Sequence, residues 1–209
     1  MKVKLCGIRR TEDIEYVNEA MPDYIGYIFA ESKRRVTPFE AAAFTRKLHP
    51  QIKTVGVFVN ENIEKIIGIT QIVKLDVIQL HGDEDAAYIE KLKENLPTIE
   101  IWKAVRVQSE QDILLANELP VEKLLLDAFS PSALGGTGST ADWAIIINSK
   151  AKITKPFFLA GGLAMYNIKN AIKSLAPFGV DISSGIETNG FKDRNKILAI
   201  TSLIKEIKI

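Results

Sequence analysis

The feature that most constrains this chain is an alternation running through its whole length. Eight short runs rich in β-formers are separated by longer segments with helical patterning: Val3–Cys6, Tyr24–Phe29, Thr54–Val59, Val77–Leu80, Ile99–Val105, Lys123–Asp127, Phe157–Ala160 and Val180–Ile182. Most of the runs are almost continuously apolar, as parallel strands buried on both faces must be. Strands alternating with helical patterns imply βαβ units and a parallel sheet. Eight units suffice to close an α/β fold of the (βα)8 TIM-barrel type. At 209 residues it would be a minimal, short-looped version of a fold that typically takes ~250. An open, doubly wound sheet is the structural alternative. No linker, low-complexity tract or composition shift divides the chain, so residues 1–209 are expected to form a single βα-barrel domain.

Local signals agree with this plan. Thr37-Pro38-Phe39-Glu40 combines an N-cap, a proline at the first helical position and a capping-box glutamate. Asn60, Ser109 and Asp142 are expected to cap further helices. Helical patterns also cover 11–20, 83–94 and 194–208. The longest irregular stretch, Ala128–Ala141, is rich in Ser, Gly, Pro and Thr and follows the sixth run. Loops of that length are commonly lids or connectors. In barrels of this type the catalytic groups come from strand carboxyl ends and the loops after them, a rule that sorts the remaining motifs.

Charge and composition exclude several classes of partner. The net charge is +1, with Lys and Arg dispersed among acids, so the basic patch required by nucleic acid is missing. A small anionic ligand needs only one or two local positive groups. No apolar run approaches the ~18 residues of a membrane span, and Met1–Gly7 is too short and charged for a signal-peptide core. One cysteine cannot form an internal disulfide, and no Cys/His cluster has metal-ligand spacing. The expectation is a cytoplasmic protein with no metal, no nucleic-acid partner and no membrane partner. A monomer is the default and a homodimer the alternative.

Cys6 closes the first run and is followed by Gly7. A lone cysteine is often a small buried hydrophobe, but its place at a strand end suits a general base, which would act as the thiolate. Lys4 lies on the same side of that strand and could supply positive charge. Asp127 closes the sixth run after three leucines. It could cap a helix, or partial burial could raise its pKa and fit it to serve as an acid. Two glycine-rich turns, Ala160-Gly161-Gly162 and Asp181-Ile182-Ser183-Ser184-Gly185-Ile186-Glu187, follow runs seven and eight. Barrels frequently hold phosphate there, because glycine lets backbone N–H groups approach the oxygens. Ordinary glycine turns are the alternative. Lys33-Arg34-Arg35 is either a solvated loop or a two-pronged grip on a carboxylate. His81, after the fourth run, either donates a hydrogen bond or merely fills a turn. Gly136–Ala141 matches G-x-G-x-x-G/A, but it follows no strand directly and no acid lies ~20 residues on, which rejects a dinucleotide site.

Taken in order, Lys4-Leu5-Cys6-Gly7-Ile8, Ser32-Lys33-Arg34, Gly56-Val57-Phe58-Val59-Asn60, Gln79-Leu80-His81-Gly82, Leu126-Asp127, Gly135-Gly136-Thr137-Gly138, Ala160-Gly161-Gly162 and Asp181–Glu187 resemble the phosphoribosylanthranilate isomerase family. The resemblance implies an Amadori rearrangement of N-(5-phosphoribosyl)anthranilate in tryptophan biosynthesis, without metal or organic cofactor. It would make Asp127 the general acid and Cys6 the general base. Arg34 would hold the anthranilate carboxylate and His81 would lie at the substrate. Gly161, Gly162, Asp181, Ser184 and Gly185 would surround the phosphorylated sugar, and the glycine-rich segment after Asp127 would close over it.

Three positions depart from the family pattern. Arg35 stands where an aromatic residue is common and competes with Arg34 for the carboxylate role. Ala128 replaces a hydroxyl residue, and Ala141 replaces a bulkier one. Rival functions are a Schiff-base barrel using Lys103, a related decarboxylating, indole-ring-forming barrel, and a silent phosphate-ligand binder.

Overall fold

The computed structural model describes residues 1–128 and 141–207. The Gly136–Ala141 pattern up to Thr140 and most of the expected lid lie outside them. Eight parallel strands close into a barrel in sequence order: β1 (Lys2–Cys6), β2 (Tyr24–Ile28), β3 (Lys53–Phe58), β4 (Val77–Leu80), β5 (Glu100–Arg106), β6 (Lys123–Asp127), β7 (Phe157–Ala160) and β8 (Gly179–Ile182). Helices α1 (Thr11–Ala20), α2 (Pro38–Thr45), α3 (Ile63–Val73), α4 (Ala86–Asn95), α5 (Glu110–Glu118), α6 (Ala141–Ser149), α7 (Ile168–Leu175) and α8 (Arg194–Glu206) alternate with them. β8 returns to β1, pairing Lys4 with Asp181, which closes the barrel. Among the described residues no helix is long and apolar enough to cross a membrane.

Two caps form as the sequence indicates. Thr37 accepts from the Glu40 N–H and Ser109 from the Asp112 N–H, each in a capping box. Two others do not. α3 is capped by Asn62, which accepts from Glu64 and Lys65, because Asn60 has left-handed backbone (φ 48). The Asn60 side chain instead accepts from the Asp83 N–H at 2.7 Å, tying the loop after β3 to the loop after β4. Asp142 falls inside α6 rather than ahead of it. α4 starts later than its pattern, at Ala86, because Asp85 takes the cap and accepts from Tyr88.

Side-chain alternation along each strand sorts the core into two layers. One set, including Ile101, Val105, Leu124, Leu126 and Leu159, faces the helices. The other, including Tyr24, Val55, Val77, Trp102, Leu125 and Phe158, fills the barrel. Trp102 stacks on Phe158 at 4.8 Å and meets Tyr24 edge-on at 5.0 Å, forming an aromatic plug. This alternation also corrects the Schiff-base rival. Lys103 shares its parity with Ile101 and Val105, so it points out through the wall. There it is buried against Glu84 at 2.7 Å and the Gly82 carbonyl. An ammonium anchored in that way is not a nucleophile at the barrel mouth.

Trp102 is fully buried, so Trp102→Ala should cost about 3–5 kcal/mol of unfolding free energy, read by urea denaturation. An effect under about 1 kcal/mol would mean the plug is not a cooperative part of the core.

Candidate active site

A cavity of about 340 Å³ opens at the carboxyl end of the barrel. Cys6, Arg34, His81, Asp127, Gly162 and Ser184 are among its lining residues. Gly161 and Asp181 line it too, so eight of the nine sequence-selected site residues meet around one space. The ninth, Gly185, sits behind the wall. A Cβ on it would lie 1.9 Å from the Leu163 carbonyl oxygen, so only glycine lets the turn after β8 pack on the turn after β7.

Both turns border the cavity. Gly161 and Gly162 both have positive φ (90 and 62), and open space lies where a Gly162 side chain would be. Asn167 holds this turn from behind, accepting from Ala164 N–H and donating to the Gly162 carbonyl. Opposite it a short 3-10 turn, Ser184–Ile186, follows β8.

Cys6 and Asp127 end strands β1 and β6, which are not neighbours. The thiol is buried, and burial pushes its pKa up against the pull of Lys4. Asp127 is a quarter exposed, with one carboxylate oxygen 4.0 Å from His81 Nε2. Burial, with Arg106 and Lys4 nearby, lowers the His81 pKa, so the ring is neutral near pH 7 and suited to hydrogen bonding.

Arg34 and Arg35 separate clearly. Arg34 lines the cavity, whereas Arg35 is exposed and its backbone bridges to Ile28. Two nitrogens of the Arg34 guanidinium donate to the two Glu187 oxygens at 2.6 and 2.7 Å. Glu187 also accepts from the buried Lys192 at 2.8 Å. These two residues come from a hairpin, β9 (Glu187–Thr188) and β10 (Phe191–Lys192), that the sequence reading missed. Its signal was Asn189-Gly190, both with positive φ (51 and 78), the dipeptide of a type I′ turn. Phe191 lies under the Arg9 and Arg10 guanidinium groups at 4.8 and 4.7 Å, which docks the hairpin on the β1–α1 loop. Gln79, which the sequence offers only as part of a family-like stretch, belongs to the site as well. It lines the cavity, and its side-chain oxygen is buried with no hydrogen-bond partner among the described residues.

Residues 3–202 match the family model described as N-(5'phosphoribosyl)anthranilate (PRA) isomerase. The chain belongs to the PRA isomerase family. It is 45% identical over 207 residues to the N-(5'-phosphoribosyl)anthranilate isomerase of Caldanaerobacter subterraneus subsp. tengcongensis, covering 99% of both chains. The phosphoribosyl anthranilate isomerase of Thermotoga maritima superposes with a TM-score of 0.86 at 36% identity, over 99% of this chain and 100% of that one. A further PRA isomerase structure, in complex with reduced 1-(o-carboxyphenylamino)-1-deoxyribulose 5-phosphate, gives a TM-score of 0.84 at 34% identity, with 99% and 100% covered.

The Glu187 pair also makes a stability prediction. Although burial works against its charge, hydrogen bonds from Arg34 and Lys192 hold the Glu187 pKa down, from the ordinary 4.5 to about 2. Its folded pKa is depressed, so its contribution is present above about 4.5 and lost as pH falls toward about 2. The stability gap between the native protein and Glu187→Gln should therefore narrow across that window in pH-dependent denaturation. A gap independent of pH would show that the carboxylate charge is not what stabilises the hairpin.

Proposed function

We propose that this PRA isomerase works with Cys6 as general base and Asp127 as general acid, with Arg34 at the anthranilate carboxylate. The single observation that carries the reading is the convergence of these three groups and both glycine turns on one cavity. The phosphate would sit in the cradle of Gly161, Gly162 and Ser184, where backbone N–H groups suit an anion. That placement leaves the sugar over Cys6 and Asp127.

The reaction moves protons and needs no redox step. Asp127 protonates the ring oxygen, the bond from C1 to that oxygen breaks, and the nitrogen lone pair forms a C1=N iminium. The Cys6 thiolate then takes the C2 proton. The C–H electron pair becomes C1=C2, and the iminium π pair returns to nitrogen. The resulting enolamine gains a proton at C1 and loses its hydroxyl proton, giving the 1-deoxyribulose ketone. Groups on separate strands suit this sequence because the two protons leave and arrive at different places on the sugar. Neutral His81, beside Asp127, suits a hydrogen bond to substrate rather than an ion pair. Arg34 keeps one guanidinium nitrogen outside its two contacts with Glu187, so it can meet a second carboxylate without losing the first.

Steady-state conversion of freshly prepared phosphoribosylanthranilate, followed by loss of anthranilate fluorescence with product identification, tests the activity. Cys6→Ala and Asp127→Asn should each lower turnover by about 10²–10⁴-fold, with product affinity largely kept. Normal turnover in either variant would remove that residue from its role. Saturable binding by the native protein with no turnover would favour the silent binder.

A further inference from the structure

Beneath the mouth lies a charged cluster that the two proton-transfer roles do not explain. Lys4 is completely buried, a position that an ammonium tolerates only when paired. Asp181, its register partner across the β1–β8 seam, accepts from it at 3.0 Å. That uses one of three ammonium donors. The Lys4 ammonium and the Cys6 sulfur also crowd the same spot beside Gly26: a Cβ there would lie 2.7 Å from the sulfur and 3.2 Å from the Lys4 nitrogen. Any larger residue at position 26 would push into both.

The surroundings set the charge balance at Cys6. From β10, Lys192 acts on the thiol electrostatically, as does Arg34 from the loop after β2. Glu187 answers both of those cations, and Asp181 answers Lys4. On the rest of the mouth stand Asp127, Arg106 and His81. Around the sulfur itself, three cations therefore face two carboxylates. The cluster carries one uncompensated positive charge while Cys6 is a thiol and none once it is a thiolate.

We propose that Lys4 is the positioning residue for the general base: anchored by Asp181, its buried ammonium orients the Cys6 side chain and stabilises the thiolate. This rests on the assignment of Cys6 as the base. Lys4 keeps its proton throughout, while the C2–H bond breaks, the S–H bond forms and the electron pair stays with the substrate as C1=C2. The geometry requires the two neighbours to act with opposite sign. Burial raises the thiol pKa, Lys4 lowers it and Asp181 raises it.

Because the chain has one cysteine, a ¹³Cβ-cysteine label gives a single NMR signal that reports thiol against thiolate without substrate. Lys4→Met should move its titration midpoint up by about 1–3 units and cut turnover near pH 7 by on the order of tenfold or more. Rate should be regained as the pH is raised through the new midpoint. Asp181→Asn should move the midpoint down. If Lys4→Met does not fold, the double variant Lys4→Met/Asp181→Asn, which removes the buried pair as a unit, replaces it. Its midpoint should lie above that of the native protein. An unchanged midpoint without Lys4, or shifts of the same sign in both single variants, overturns the role of Lys4 even if the native protein turns over. The expected shifts in a native protein that does not isomerise phosphoribosylanthranilate would leave the Lys4–Cys6 coupling intact and overturn the proposed function.

Discussion

Closure of the sheet between β1 and β8 is the constraint on which the rest of the molecule depends. The register there sets Lys4 opposite Asp181 and Leu5 opposite Ile182. Once it is fixed, the two-residue period of each strand leaves every side chain either inside the barrel or against the helices. Leu5 and Ile182 then join the outer layer, while Lys4, Cys6 and Asp181 are turned inward. A slip of one residue on β1 would bury Leu5 in the barrel and put Lys4 and Cys6 among helix-facing leucines and isoleucines. The ion pair is weak evidence for stability as such, since desolvation offsets much of its attraction. The observed register satisfies both charges, and removing either partner would leave the other buried and uncompensated.

The barrel interior is graded along its axis. Tyr24, Trp102 and Phe158 seal one level, where the Trp102 N–H donates to Glu100. Lys4, Asp181 and Gln79 belong to a polar level, and Cys6, Asp127 and His81 open to the cavity. An apolar floor excludes water from beneath the polar level and strengthens every electrostatic term above it. The same low dielectric pushes the thiol toward its neutral form, so a thiolate base in this position requires a nearby cation. Floor and cation are therefore linked requirements of one design.

Much of this was legible in the sequence because parallel strands covered on both faces must be apolar throughout, and few other patterns imitate eight of them. Thr37 and Ser109 were legible for a similarly local reason, a cap and its acid three residues on. Asn60 and Asn62 were not distinguishable, since either asparagine can precede Ile63 and only the left-handed backbone at Asn60 decides. Lys103 does lie in the fifth strand, but position along a strand says nothing of which way the side chain faces, and parity against Ile101 and Val105 is the deciding fact. Glu187 and Lys192 escaped as a pair because two-residue strands have no periodicity to detect. Their approach to Arg34 is created by the hairpin turn and by Phe191 docking under Arg9 and Arg10.

That hairpin explains how a small barrel holds the arginine that lines its cavity. A long side chain on a loop loses rotamer entropy when it is fixed, and an arginine left free would sample many poses at the mouth. The Glu187 carboxylate takes two nitrogens of the Arg34 guanidinium, and Lys192 holds that carboxylate from the other side. Gly7 completes the arrangement: its positive φ of 82 and missing side chain let the Arg34 chain pass where a Cβ would stand 2.7 Å from Cδ. The glycine after Cys6 thus serves the arginine of a different strand's loop. Cys6 and Arg34 therefore meet at the same short piece of backbone, so a side chain at position 7 would press on Arg34 next to the residue that ends β1.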